Sequence, residues 1–363
     1  KTAYAIHERL VGSEMCIRVS SWSEAYRVPN LITVNEGTVV RQVTRTDWAC
    51  KYAAENGGDP DQEILDCTDS IQRVAEGSED LVPEESDNTS IGFALTPIDG
   101  MTITADWWTI EKQKTIGLFG EENHTALDLL WRLEDGGNSC GGSFNTAIER
   151  DSSLESEAVA IYEAAGICPA GRAVRISDRY TNLDTRTVEG YDIGVYYTFD
   201  TDFGTFSVKY NGAFLSKFEQ EAGGAAAELF AAQEAGILPS DVPIKGFFDL
   251  AGADGNHEEK HTARVSWRKE AFGASVSAYR ISDFYISGLT LEDGTRYTVP
   301  AMTTYDAAFD YRTEIGGTKT RFRLGFKNLT DERAPLTNDS FGFHADSHND
   351  YGRYVYLNVT ANF

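Results

Sequence analysis

The residues best suited to metal chemistry lie in the segment HADSHND, residues 344–350. His344, Asp346 and His348 alternate there, and alternate side chains of an extended segment share one face. Imidazole and carboxylate groups on one face could hold a transition-metal ion. HEEKH, from His257 to His261, offers a similar pair of imidazoles. We expect solvated external loops at both places, with metal binding as the less common alternative.

Four of the five cysteines form two local pairs, Cys50 with Cys67 and Cys140 with Cys168. Each pair lies within one polar stretch, which is typical of disulfides in an oxidising compartment. Four unpaired thiols are the alternative, because spacing does not fix connectivity. Zinc is disfavoured, since there is no C-x-x-C motif and no histidine at ligand spacing near either pair.

The elements that position these residues show apolar and polar residues in alternation, which predicts β-strands. In YVYLNVTANF, residues 354–363, Val355, Leu357 and Val359 fall on one side of the strand. About ten segments can be read as strands, the first of them less regular, at residues 19–27, 91–96, 101–107, 191–199, 206–214, 263–268, 272–279, 304–311, 321–327 and 354–363. No Asp, Glu, Lys or Arg falls within the apolar rows of the regular segments. A Lys or Arg facing lipid at the bilayer centre costs about 2–4 kcal/mol, so the missing charges favour a lipid-facing wall.

The connections between these strands alternate in length. Those near residues 98, 201, 270 and 315 are short, whereas those at 28–86, 113–180, 218–260, 285–299 and 329–350 are long. Outer-membrane barrels have short periplasmic turns and long external loops. We therefore predict an all-β fold, an antiparallel transmembrane β-barrel that is partial, with about ten strands. The barrel would place Phe363 in the periplasmic aromatic girdle.

Three helical patterns within the long connections, at residues 126–135, 153–165 and 225–235, predict short external helices. A soluble, carbohydrate-binding β-sandwich remains an alternative, although a sandwich has no reason to put every long connection at one end.

Composition narrows the classes of function. The formal net charge of −25 argues against nucleic-acid binding, which needs a basic surface. The sequence contains no run of about 18 apolar residues and therefore predicts no transmembrane helix. Nothing in the sequence indicates a cofactor.

Several stretches resemble the C-terminal part of TonB-dependent outer-membrane receptors. They are SWSEAYRVPNL (21–31), LVPEESDNTSIGF (81–93), MTITADWWTIE (101–111), NLDTRTVEGYDIGVYYTF (182–199), RFRLGFKNLTDERAPL (321–336) and YGRYVYLNVTANF (351–363). The resemblance implies TonB-energised uptake of a scarce nutrient, such as an iron–siderophore, across the Gram-negative outer membrane. The implied partners are outer-membrane lipid and lipopolysaccharide, a small-molecule ligand, and the TonB energy complex acting through an N-terminal plug. Transport of this kind makes no covalent bond, so we expect no catalytic residue.

The resemblance also implies domain limits. Such receptors have about 22 strands and a plug, so residues 19–363 would be the C-terminal portion of a barrel without its plug. Residues 1–18 contain VGSEMCIR, which resembles a translated sequencing adapter, and their origin is doubtful. A passive porin-like or adhesin-like barrel is the alternative function.

Charged residues of the polar strand faces would point into the lumen and, by the same resemblance, hydrogen-bond the plug. A simply solvated inner face is the equally expected alternative. The candidates are Arg264, Arg268, Arg321, Arg323, Lys327, Asp306 and Asp310.

Overall fold

The computed structural model describes residues 15–35, 38–140, 144–291, 293–339 and 341–362. The strands, in chain order, are β1 (Met15–Arg27), β2 (Val39–Thr46), β3 (Thr68–Glu76), β4 (Glu84–Thr96), β5 (Met101–Gln113), β6 (Thr115–Gly117), β7 (Ile148–Arg150), β8 (Ala173–Arg179), β9 (Thr181–Leu183), β10 (Arg186–Thr201), β11 (Gly204–Gln220), β12 (Glu259–Lys269), β13 (Phe272–Ile281), β14 (Phe284–Thr290), β15 (Arg296–Val299), β16 (Met302–Ile315), β17 (Thr318–Lys327) and β18 (Tyr354–Asn362). The helices are α1 (Leu31–Val34), α2 (Trp48–Gly57), α3 (Glu121–Asp135), α4 (Ser156–Ala164) and α5 (Gly224–Glu234).

Ten of these strands form one sheet in the order β1-β4-β5-β10-β11-β12-β13-β16-β17-β18. Every neighbouring pair in it is antiparallel. The prediction of about ten antiparallel strands is confirmed, and the first strand begins at Met15 rather than at residue 19. The predicted position of Phe363 lies outside the described residues.

The register places apolar side chains of successive strands directly opposite one another. One row runs from Leu95 through Ile103, Val195 and Tyr210 to Ala263. The large side chains of this face are exposed, for example Val276 at 52% and Leu357 at 68%. An apolar sheet face left open in this way is the surface that lipid covers in a membrane barrel.

Strand β1 departs from this pattern. Arg18 pairs with Phe93 and so lies on the apolar face, whereas Ile17 pairs with Ala94 on the polar face. A shift of one residue exchanges the two faces of a strand, because side chains alternate with period two. The predicted rows of apolar residues therefore hold from β4 onward.

The connections within the ten-stranded sheet alternate in length as predicted. Residues 97–100, 202–203, 270–271 and 316–317 make the short turns, and residues 28–83, 114–185, 221–258, 282–301 and 328–353 make the long connections. Gly316 and Gly317 have φ angles of +60° and +81°. Positive φ at both central residues suits a two-residue hairpin turn, and glycine adopts it without strain.

The main hydrophobic core lies in the first three long connections and not in the ten-stranded sheet. Residues 28–83, 114–185 and 221–258 fold together into a unit that we call the cap. Its core packs α2, α3, α4 and α5 through side chains such as Leu129, Tyr162 and Leu229. Helices α3, α4 and α5 confirm the three predicted helices, whereas α2 was not predicted.

A four-stranded sheet, ordered β2-β3-β8-β7, completes the cap and was not predicted either. Its β3–β8 pair is parallel, and Ile71, Ile148 and Ile176 form a second small core beneath it. Across the described ranges, no helix is both long and apolar enough to cross a membrane.

Candidate ligand cavity and luminal charges

Two disulfides hold segments of the cap. The Cys50–Cys67 bond joins α2 to the residue before β3, and the Cys140–Cys168 bond joins the segment after α3 to the segment after α4. The carboxylate of Asp135 lies near the second pair. Because both sulfurs are already bonded to each other, this group does not offer the thiolates that a metal ion would need.

A buried ion network joins the first long connection to the second. The Arg150 guanidinium donates to both oxygens of Asp47 and, at 2.7 Å, to Asp128. Arg132 donates to the same Asp128 carboxylate at 2.9 Å. Burial alone would lower the pKa of Arg150, but the two carboxylates outweigh it and raise that pKa. Burial raises the pKa of the neighbouring Tyr162. These ion pairs fix two loops against each other.

The start of α3 is held by a fully buried carboxylate. Asp178 accepts hydrogen bonds from the backbone N–H groups of Phe119 at 3.2 Å and Gly120 at 3.0 Å. The Nε2 atom of His124 lies 3.3 Å from the same carboxylate. A negative charge is stabilised at a helix N-terminus by the unpaired N–H groups and the helix dipole. Asp178 therefore couples β8 to α3.

A cavity of about 790 Å³ lies beside this junction, between the second and third long connections. It lies at the external rim, because its wall includes the last residue of β5 and the residues just before β10. The side chains that give it chemical character are the aromatic Phe119, Trp131 and Phe247, the basic Lys114, His124 and Arg179, and the amides Asn145 and Asn182. A volume of this size suits a small molecule.

The aromatic wall of this cavity is fixed by its own contacts. The ring centroid of Phe119 lies 6.0 Å from that of Phe247 and 5.0 Å from that of His124. Trp131 donates from Nε1 to Glu228 on α5 at 2.9 Å. These contacts pack two long connections together, so the wall is preformed rather than assembled by the ligand.

The basic groups of the cavity differ in how they are engaged. Lys114 pairs with Glu85 at 2.8 Å. The side chain of Arg179 is exposed and makes neither an ion pair nor a hydrogen bond with any described residue. The Asn182 amide is held by the backbone of Val82 and Lys114. Arg179 is therefore the cation of this wall that is best placed to meet an anionic ligand.

The predicted luminal charges all lie on the polar face of the ten-stranded sheet, opposite the apolar rows. These residues are Arg264, Arg268, Arg321, Arg323, Lys327, Asp306 and Asp310. They do not form one site. Asp310 is buried and accepts from Arg321 Nε at 2.6 Å, with Arg323 Nη1 at 3.8 Å. Asp306 instead accepts a backbone hydrogen bond from Asn328 at 3.0 Å.

The other arginines of this face are less engaged. Arg264 donates to Ser275 at 3.2 Å. The Nη1 atom of Arg268 is buried, and no described residue pairs with it. The inner wall therefore carries a closed ion cluster and, at Arg268, a buried donor that no described residue pairs with.

His344, Asp346 and His348 do not form the extended arrangement that the alternative of a metal site on one face would need. The backbone N–H of His348 donates to the carbonyl of His344 at 2.9 Å, so the segment is a turn and the exposed Asp346 does not share a face with the two rings. The two histidines of HEEKH do not form one site either. His261 is hydrogen-bonded to the hydroxyl of Tyr210 on β11 at 2.9 Å, whereas His257 is buried at a different place. The ring centroids of His257 and His348 lie 6.0 Å apart, and the spacing of histidines in the sequence did not predict this contact.

A one-sided apolar wall, a charged inner face and a folded external cap together define an outer-membrane type of β-barrel. The family model described as "TonB dependent receptor-like, beta-barrel" matches residues 10–329. The chain belongs to the TonB-dependent receptor β-barrel family.

Solved structures support the fold. The siderophore receptor PirA from Acinetobacter baumannii is similar with a TM-score of 0.54 and 13% identity, over 95% of this chain and 38% of that chain. A ferric enterobactin receptor (PfeA) from Pseudomonas aeruginosa, in complex with enterobactin, is similar with a TM-score of 0.54 and 14% identity, over 96% of this chain and 38% of that chain. The chain thus spans less than half the length of these neighbours. No curated protein sequence matches it.

Proposed function

We propose that this chain forms the C-terminal wall and external cap of a receptor in the Gram-negative outer membrane. The receptor would take up a scarce small molecule, with energy supplied by TonB. Membership of the TonB-dependent receptor family carries this proposal. The exposed apolar face supports the membrane setting, since the strands of the ten-stranded sheet from β4 onward turn large apolar side chains outward.

The cavity of the cap supports an anionic ligand with flat apolar parts. Aromatic side chains such as Trp131 and Phe119 offer ring faces, and Arg179 offers a charge that no described residue pairs with. Iron complexes of aromatic chelators combine these two features. Two neighbours that share the fold are named as siderophore and ferric enterobactin receptors, which agrees with this ligand class.

The inner face supports contact with a plug. A polar wall of this kind can hydrogen-bond a polar partner through a watery interface. We propose Arg264, Arg268, Arg321, Arg323, Lys327, Asp306 and Asp310 as the plug-facing residues. Movement of a plug drawn by TonB would then open the path along this wall.

The test is uptake of a panel of radiolabelled ferric siderophores by cells that carry the full-length receptor and lack other siderophore receptors. We expect saturable uptake that disappears when TonB is deleted. A passive porin-like barrel would keep its uptake without TonB, and that result would exclude the proposed energy source.

A matched pair of variants tests the cavity. Arg179→Ala should raise the KM of uptake about tenfold or more, since a hydrogen bond to a charged group contributes about 1.5–3 kcal/mol. Arg41→Ala removes an exposed arginine of β2, which lies in the cap but does not line the cavity, and should leave the KM unchanged. Equal effects of the two substitutions would move the ligand site elsewhere.

A further inference from the structure

Three imidazoles surround one phenylalanine at the external ends of β12 and β13. The ring centroid of Phe284 lies 5.2 Å from that of His257, 5.1 Å from that of His344 and 6.1 Å from that of His348. We call His257, His344 and His348 the histidine cluster. It joins the end of the cap to the last long connection, residues 328–353, and it lies outside the ligand cavity.

Two members of the histidine cluster are almost completely buried. His257 is 4% exposed and His348 is 5% exposed. Three of their four ring nitrogens, Nε2 of His257 and both nitrogens of His348, have no hydrogen-bond partner among the described residues. A buried polar group without a partner destabilises the fold, so an unmade contact at these nitrogens needs an explanation.

The hydrogen bonds of His257 fix which nitrogen can bind a metal ion. Nδ1 lies 2.7 Å from the carbonyl oxygen of Ser282, and a carbonyl only accepts, so Nδ1 carries the proton. Nε2 therefore presents a lone pair toward the buried space. Metal-binding histidines usually show this arrangement, in which the second ring nitrogen donates to a backbone carbonyl.

Aromatic packing alone does not account for the histidine cluster. Phenylalanine rings at positions 257 and 348 could make the same edge and stacked contacts with Phe284 without any unpaired nitrogen. Burial lowers the pKa of His257 and of His348. A lower pKa favours the neutral ring, which is the form that binds metals.

We propose that His257 and His348 bind a transition-metal ion, with His344 as the third ligand after rotation of its side chain. With a metal–nitrogen distance of about 2.0–2.1 Å, two imidazoles on one ion have centroids between about 5 and 6 Å apart, depending on the angle at the metal. The observed separation of His257 and His348 is 6.0 Å. Imidazole ligands select ions such as Zn²⁺, Cu²⁺ and Ni²⁺ over Mg²⁺ and Ca²⁺.

The ion would cross-link two loops that are distant in the sequence. His257 precedes β12, and His344 and His348 belong to the connection before β18. Apart from the third imidazole, the charged groups that act on the pKa of His257 are Lys260, which lowers it, and Asp283, which raises it. Binding would hold the last external connection against the rim of the cap.

The experiment measures zinc binding to the full-length receptor, purified in detergent and freed of metal with a chelator. Zn²⁺ is titrated by calorimetry and bound metal is counted by mass spectrometry, with Mg²⁺ as the hard-ion control. We expect one zinc ion per chain and no magnesium. His257→Phe and His348→Phe keep a ring beside Phe284 and should weaken zinc binding at least about tenfold. His261→Phe is the matched control and should bind zinc like the wild type.

A wild-type receptor that binds no zinc would overturn the proposal, as would Phe variants that bind zinc as the wild type does. If the Phe variants fail to fold, cobalt titration of the wild type decides. Co²⁺ bound to imidazoles gives visible absorption bands, and their absence would leave the histidine cluster as aromatic packing only.

Discussion

The apolar face of the ten-stranded sheet makes a sharp prediction at Val265. This side chain is 48% exposed and lies four residues from Lys269, the last residue of β12 before a short turn. At about 3.3 Å per residue and a tilt of about 40°, it lies about 10 Å above that end of the strand. The apolar band is about 25 Å tall, so Val265 is near its centre. Val265→Arg should therefore destabilise the receptor by about 2–4 kcal/mol in lipid.

Ser266 supplies the control, because it is the next residue of β12 and faces the opposite side. Its cross-strand neighbours are Ser207 and Ser275, and Arg264 and Arg268 flank it along the strand. Arg264 and Arg268 would repel the new arginine, so Ser266→Arg tests the polar face under unfavourable conditions. Its expected cost is nevertheless below about 1 kcal/mol, since exposed charge pairs contribute less than that.

The assay is urea unfolding of the full-length receptor in lipid vesicles, followed by tryptophan fluorescence. A water-exposed face would tolerate Val265→Arg within about 0.5 kcal/mol, as most surface positions do. Equal midpoints for the two variants would refute the lipid-facing assignment.

Three further predictions concern the cap, and hydrogen exchange of its helices in the full-length receptor measures each of them. Replacing both Cys50 and Cys67 by Ser should destabilise the cap by about 3 kcal/mol, because the bond closes a loop with a sequence separation of 17; unchanged protection of α2 in the double variant would contradict this. Asp178→Asn removes the charge at the start of α3 and should cost about 1–2 kcal/mol, seen as faster exchange in its first two turns. Asp128→Ala leaves Arg150 and Arg132 short of a partner in a buried site and should cost about 3–5 kcal/mol, with wild-type exchange rates as the refuting result.

The strands of the ten-stranded sheet could be predicted from the sequence because their two faces meet different solvents. Val276 and Leu324 fall in apolar rows, and Asp310 and Arg323 fall in polar ones, so the period of two can be read without any knowledge of partners. Strand β1 could not be read so cleanly, since Arg18 lies on the apolar face and Ile17 on the polar face.

The cap could not be predicted in the same way, because its contacts join residues far apart in the chain. Helix α2 is short and alanine-rich, so its sequence does not show which side is buried. That side is defined only by α3 and α4, which pack against it. The parallel pairing of β3 with β8 joins segments about 100 residues apart. The histidine cluster has the same origin, since no spacing in the sequence relates His257 to His348.

The separation of the buried core from the membrane wall has a consequence for stability. The outward side chains of the ten-stranded sheet gain their burial from lipid, whereas the cap buries Leu129, Leu130 and Tyr162 within itself and adds two disulfides. Different conditions should therefore weaken the two parts. A reductant acts on the cap and leaves the strand ladder intact, while removal of lipid exposes the wall and leaves the core of the cap packed. The aromatic wall of the candidate ligand cavity depends on the cap for its shape, because Phe119, Trp131 and Phe247 are positioned by the long connections.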